Sequence, residues 1–284
     1  MFYAFKSQKR AKITNMDDIS RFLDVAKNAS LIGGEVLKEY FGSVQVSDIE
    51  EKAEKDVVSF VDKTSEAKIV EYISSIFKDH QIVGEEGASI NNSPYKWYID
   101  PLDGTKNYLM GFPIFACSVG LAYEDEPIAG AVYLPYFDKL YFAAKGLGAF
   151  KNGKPIKVSN RHILKHCNVC YGFPSRSKRD LDTYLQSSKE LFIEAASMRR
   201  PGAAAVDICF LAEGIFDGLM EFELHPWDIS GALAVLLEAG GTYSLTNGLK
   251  SSTDIVASNG LIHDWMLSVV EKNVGVSYEV SCKR

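Results

Sequence analysis

Apolar positions follow a helical period at the start of this chain and a strand period in its middle. From Asp17 to Phe41 the residues Ile19, Phe22, Leu23, Ala26, Ala29, Leu37 and Phe41 recur at near-helical spacing, and Gly42 follows as a natural stop. That predicts a long amphipathic helix. The charged stretch from Asp48 to Asp56 predicts a solvated or mobile loop. A short apolar run, Val57 to Val61, then leads to Asp62 at the head of a second helix, with Ala67, Val70, Ile73, Ile76 and Phe77 on one face. Gln81-Ile82-Val83 predicts a strand closing at Gly84-Glu85-Glu86-Gly87. Trp97-Tyr98-Ile99 predicts the end of a buried strand before a sharp turn over Asp100 to Gly104.

The period then changes. Ile114 to Leu121, Ile128 to Leu134 and Lys139 to Ala143 are apolar runs separated by turn signals, which predicts an antiparallel meander. Beyond it, strands over 169–173, 197–199, 215–222 and 254–258 alternate with helices over 179–192, 202–213, 226–238 and 261–272. Strand and helix in turn predict an α/β half. The expected organisation is an extension over 1–16, an α+β subdomain over 17–160 and an α/β subdomain over 161–284.

Composition narrows the function. With 284 residues there is ample chain for a core. A net charge of −6 argues against direct nucleic-acid binding, and means that an anionic substrate needs metal ions or local Arg and Lys. No apolar run approaches a membrane span, and the basic N-terminus lacks the apolar core of a signal peptide, so a cytoplasmic protein is expected. The cysteines number five, scattered in apolar surroundings, which suits reduced thiols. Cys167 and Cys170 have the CxxC spacing, but no second pair follows and the segment reads as a strand.

The candidate chemistry lies in acids. Asp100 and Asp103, on a Pro- and Gly-shaped turn, can converge on one point, which like charges do only around a cation. Oxygen ligands favour Mg²⁺, Mn²⁺ or Ca²⁺ over zinc. The peptide N–H groups after Asp103 are placed to meet an anion if a helix starts at Thr105. Together these would suit cleavage of a phosphate ester. The same segment also reads as an Asx-type turn with a capping Asp. Asp62 reads either as an N-cap or as a metal carboxylate, and Asp228 either as a helix-dipole acid or as a ligand. Glu85 ends a second acid-bearing strand. Arg199 and Arg200, just ahead of Gly202, read as a phosphate grip or as a solvated pair. No Ser, Cys or His stands in a nucleophile motif, which predicts in-line attack by water without a covalent intermediate.

Taken together, GEE at Gly84 to Glu86, DPLDGTKN at Asp100 to Asn107 and PWDISGALAVLLEAGG at Pro226 to Gly241 resemble the inositol monophosphatase family. The likeness runs from the first helix to the last. It implies a layered αβαβα sandwich and a Mg²⁺-dependent, Li⁺-inhibited phosphomonoesterase, commonly a homodimer. Carried over by motif, it implies Glu85, Asp100, the Leu102 carbonyl, Asp103 and Asp228 as metal ligands, with Asp62 for a weaker third ion. Two or three Mg²⁺ ions, or Mn²⁺, would supply the positive field. Thr105 with Glu85 would orient the attacking water, and the amides of Gly104 and Thr105 would take the phosphate. Glu221 would accept a substrate hydroxyl, Ala204 and Arg199 would line the pocket, and Lys52 is a loosely aligned partner. Lys106 and Tyr108 depart from the commonest family pattern and bear on substrate choice. The expected substrate is myo-inositol monophosphate, with fructose 1,6-bisphosphate as a possible second because Gly202 to Ala205 and the arginine pair resemble dual-activity members. The alternatives are 3′-phosphoadenosine 5′-phosphate or NADP as substrate, and a non-catalytic role in RNA-polymerase complexes.

Overall fold

The computed structural model describes residues 16–43, 49–53, 56–173, 181–274 and 279–280. Helix α1 (Met16–Tyr40) follows the expected stripe, with Ile19, Phe22, Leu23, Ala26, Ala29 and Leu37 all buried. Burying side chains of that size contributes about 1.5–3 kcal/mol each for the larger ones. The charged connection expected as a loop contains a hairpin instead, β1 (Ile49–Ala53) antiparallel to β2 (Asp56–Ser59). Backbone pairing alone builds such a ribbon, so it leaves no apolar alternation to read.

Helix α2 (Phe60–Ile76) begins ahead of Asp62, which therefore lies inside the first turn and not at its cap. Its buried face also differs from the expected one. Ala67 is exposed, whereas Val61, Asp62, Ser65, Glu66, Ile69 and Ile73 turn inward. Three of those six are polar or acidic at helical spacing, which hides the face from a hydropathy reading.

The chain continues through β3 (Gln81–Gly84), β4 (Ser89–Ile90), β5 (Tyr95–Asp103), the short helix α3 (Thr105–Leu109), β6 (Ala116–Tyr123), β7 (Glu126–Leu134), β8 (Lys139–Ala144), β9 (Gly148–Lys151) and β10 (Lys154–Pro155). These strands form an eight-stranded sheet in the order β10-β9-β8-β7-β6-β5-β3-β4. β3 and β5 are parallel and the other neighbours antiparallel, including the expected meander. The sharp turn expected from Asp100 falls later. β5 runs on to Asp103, with a register shift against β6 between Asp100 and Asp103. Pro101 has no N–H to offer a ladder and is accommodated in that irregularity. The chain turns at Gly104, whose φ of 85° lies in the left-handed region that glycine enters without strain.

The remaining elements are β11 (Asn168–Tyr171), α4 (Leu181–Glu194), β12 (Ser197–Arg199), α5 (Ala204–Ala212), β13 (Gly218–Leu224), α6 (Pro226–Glu238), β14 (Thr242–Leu245), β15 (Thr253–Ser258), α7 (His263–Val274) and β16 (Glu279–Val280). They build a six-stranded sheet in the order β12-β11-β13-β15-β14-β16, parallel over its first three strands and antiparallel beyond. Strands β14 and β16 are additions to the elements expected from sequence.

The layers stack as α1 and α2, the eight-stranded sheet, α5 and α6, the six-stranded sheet, then α4 and α7. This is the αβαβα sandwich. The main core lies between the sheets around α5 and α6, and a second fills the space under α1 and α2. Helix α6 sits against the first sheet with its backbone: a Cβ built on Gly130 of β7 would run into the Gly231 carbonyl. The segment between the sheets is anchored by Arg161, whose Nε donates to both oxygens of the fully buried Asp217 at 2.9 Å. Cys117, Cys167, Cys170 and Cys209 are buried free thiols, so the CxxC pair is core; Cys282 lies outside the described residues. Among the described residues no helix is long and apolar enough to cross a membrane.

Candidate active site

The end of β5, the turn after β3 and the first turn of α6 meet at one place. Glu85, Asp100 and Asp228 each bring a carboxylate oxygen there, all within 4.8 Å of one another. Each is fixed from behind. The Glu85 N–H donates to the Ile99 carbonyl at 3.1 Å, which ties the β3 turn to the strand carrying Asp100. Asp100 Oδ1 accepts the Leu102 N–H at 3.0 Å, so the Asx-type turn exists and coexists with the cluster. Asp228 Oδ2 accepts the His225 N–H at 2.7 Å, at the start of α6.

Asp103 stands outside that trio of carboxylates. Its carboxylate accepts the N–H groups of Ala204, Ala205 and Val206 at 2.9, 2.8 and 3.2 Å, and so caps α5. Thr105 Oγ1 donates to the Leu102 carbonyl at 3.0 Å. Asn107 Nδ2 donates to the Pro201 carbonyl at 2.9 Å, a further link between α3 and the entry to α5.

The electrostatics are those of crowded acids. Burial raises the Asp100 pKa well above the usual carboxylate range, and the charges of Glu85, Asp103, Asp228 and Asp62 raise it further. Asp103 is pushed up to about 7 by burial and then by Asp228, against the lowering effect of its three N–H donors. Asp62 is 3% exposed and close enough for its charge to be felt at Asp100. Buried carboxylates crowded in this way are unfavourable without a counter-charge. A donor set made only of carboxylate oxygens fits a hard divalent cation and not zinc.

The other expected residues are dispersed. Ala204 adjoins Asp103 through its N–H. The Glu221 carboxyl lies over Gly172, where a Cβ would collide with it. Arg199 is exposed on β12, and its Nη1 donates to the Met198 carbonyl at 2.8 Å. The Arg200 guanidinium lies 4.8 Å from the centre of the Phe173 ring. Lys52 belongs to β1, and its side chain lies outside the described residues.

Two acids escaped the sequence reading. Asp207 is 1% exposed on α5, its pKa raised by burial, then by Glu221 and Asp103. Its signal is an acid inside the otherwise apolar AAVDICFLA. Glu66 is 5% exposed on α2, one turn after Asp62.

The fold and its carboxylate cluster agree with the phosphatase class to which the matched family belongs. The chain belongs to the inositol monophosphatase family, whose model matches residues 18–274. It is 59% identical over 92% of its length to all of the fructose-1,6-bisphosphatase/inositol-1-monophosphatase of Aquifex aeolicus. It is 33% identical over 89% of its length to the Nus factor SuhB of Pseudomonas aeruginosa, covering 96% of that protein. Among solved structures it is similar to the extragenic suppressor protein suhB of Bartonella henselae, with a TM-score of 0.83 and 31% identity over 89% of this chain and 99% of that one.

Proposed function

We propose that this chain hydrolyses myo-inositol monophosphate to inositol and phosphate, and accepts fructose 1,6-bisphosphate as a second substrate. The observation that carries this reading is the convergence of Glu85, Asp100 and Asp228 within 4.8 Å. The printed name of the Aquifex aeolicus relative supports the pairing of substrates.

In this reading Glu85, Asp100, the Leu102 carbonyl, Asp103 and Asp228 hold two Mg²⁺ ions, and Asp62 helps to hold a third; Mn²⁺ substitutes. When bound, the ions supply the positive field that a dianionic phosphate needs and sharpen the acidity of water. The chain does the rest. Glu85 and Thr105 orient the attacking water, and the Glu85 carboxylate accepts its proton. The amides of Gly104 and Thr105 hold the phosphate oxygens in line. The bond from phosphorus to the ester oxygen breaks, the departing alkoxide takes a proton from solvent, and the proton held by Glu85 is released to solvent. Glu221 accepts a hydroxyl of the sugar or cyclitol, with Ala204, Arg199 and Lys52 around it. The working form is a cytoplasmic homodimer inhibited by Li⁺, and 17–160 and 161–284 act as the two subdomains.

The test is phosphate release from inositol 1-phosphate, fructose 1,6-bisphosphate, 3′-phosphoadenosine 5′-phosphate and NADP, with Mg²⁺ and with EDTA. The proposal expects Mg²⁺-dependent turnover of the first two. Preference for the adenine-containing pair would overturn the substrate assignment. The name of the Pseudomonas aeruginosa relative favours a second reading, a binding role without catalysis, which predicts no turnover of any of them.

A further inference from the structure

Glu85 reaches the cluster from a tight loop, and that loop is filled by a side chain from another element. The Gly84 N–H donates to the Ala88 carbonyl at 2.8 Å and closes the turn. Inside it, Glu66 Oε2 accepts the Glu86 N–H at 2.8 Å and Oε1 accepts the Ala88 N–H at 3.1 Å. The first donor belongs to the residue directly after Glu85 and the second lies two positions further on, so both oxygens of one carboxylate hold the backbone that presents it. Glu66 is 5% exposed and shares the inward face of α2 with Asp62. The fit is close: a Cβ built on Gly84 would collide with the Glu66 carboxylate. A charged acceptor taking two backbone N–H groups is a strong hydrogen-bonding arrangement.

We propose that Glu66 is a positioning residue of the metal centre, fixing the Gly84–Ala88 loop so that Glu85 stands in register with Asp100 and Asp228. The proposal rests on the reading of Glu85 as a metal ligand. Residues behind metal ligands orient them and so tune the affinity for the metal. Glu66 therefore couples α2, and with it Asp62, to a ligand from a different strand.

The test compares the wild-type chain with Glu66→Gln, Gly84→Ala and Glu85→Gln. Glu66→Gln keeps the side-chain volume but turns an amide NH₂ toward one of the two N–H donors. Gly84→Ala keeps the carboxylate and displaces it. Mn²⁺ binding to chelator-treated protein is read from the loss of the free-ion paramagnetic resonance signal, with Mg²⁺-dependent phosphate release and thermal unfolding alongside. Glu66→Gln and Gly84→Ala should each raise the metal dissociation constant by about 10–100-fold while kcat at saturating metal stays within a factor of about 3. Lower melting temperature with wild-type metal affinity would mean a purely structural role and would overturn the proposal. So would wild-type affinity in both variants when Glu85→Gln is impaired. If Glu85→Gln itself binds metal like wild type, the ligand assignment fails first, and the two failures are told apart. Should Glu66→Gln not fold, Gly84→Ala decides.

Discussion

Asp103 Oδ2 accepts the Ala205 N–H at 2.8 Å, so an acid at the end of β5 is also the cap of α5, more than a hundred positions along the chain. One carboxylate thus serves a helix and, in the proposed function, a metal. Asp103→Asn keeps an acceptor for that helix but loses the charge. It should give a folded protein whose turnover falls by orders of magnitude. Asp103→Ala also abandons three N–H groups and should lose about 1–3 kcal/mol in urea unfolding. Near-normal kcat in the Asn variant would remove Asp103 from the chemistry.

The metal-free protein should lose stability as pH rises. Asp100 and Asp103 have folded pKa values above the unfolded one, by burial first and then by the charge of Glu85 on Asp100 and of Asp228 on Asp103. Such groups contribute stability that is fully present below the unfolded value of about 3.9. For Asp103 it is lost as pH rises through about 7. The gap in Tm between Mg²⁺-loaded and EDTA-treated samples should therefore widen from pH 5 to pH 8. Metal at 100 times its Kd would contribute about 2.7 kcal/mol. A gap that is flat or shrinking with pH would contradict this account.

His80 has the opposite sign. Its ring stacks on Phe77 and Tyr95 at 4.5 and 4.7 Å, and its Nδ1 accepts the Trp97 Nε1–H at 3.0 Å. Burial holds its pKa below 6.5, despite Asp79. Stability is then present above the unfolded value and lost as pH falls below it. His80→Ala should cost roughly 2–3 kcal/mol through the lost stack and the orphaned indole N–H. It should also flatten the acid side of the stability curve below pH 6.5. An unchanged acid limb would show that another group sets it.

Gly130→Ala tests the backbone contact of β7 with α6. The new methyl would meet the Gly231 carbonyl, which cannot swing aside as a side chain can. Overpacking of this kind typically costs about 1–3 kcal/mol and more where backbone must move. The variant should be the least stable of those named here in urea unfolding, and wild-type stability would mean that α6 can shift at little cost.

What the sequence disclosed follows the physics of each signal. Asp100 and Asp103 were legible because their spacing is local, and Asp228 because it opens a helix with Pro226 ahead of it. The α1 stripe and the β6–β7 meander were legible because each buries one face. Glu66 and the inward face of α2 were not, since hydropathy treats a buried acid as a surface one. The β1–β2 hairpin carries no alternation. Asp103 as the cap of α5 pairs positions so distant that no window contains both.

Where α6 lies on the first sheet the backbone around Gly231 meets Gly120 and Gly130 directly, which leaves little room to retune Asp228 by sliding its helix. In the proposed function, adaptation to a new leaving group would then fall to Arg199, Ala204 and Glu221, while the acids stay where they are. The same seam that forbids adjustment of the reaction centre leaves its surroundings free to vary, and a broad substrate range becomes compatible with a single fixed chemistry.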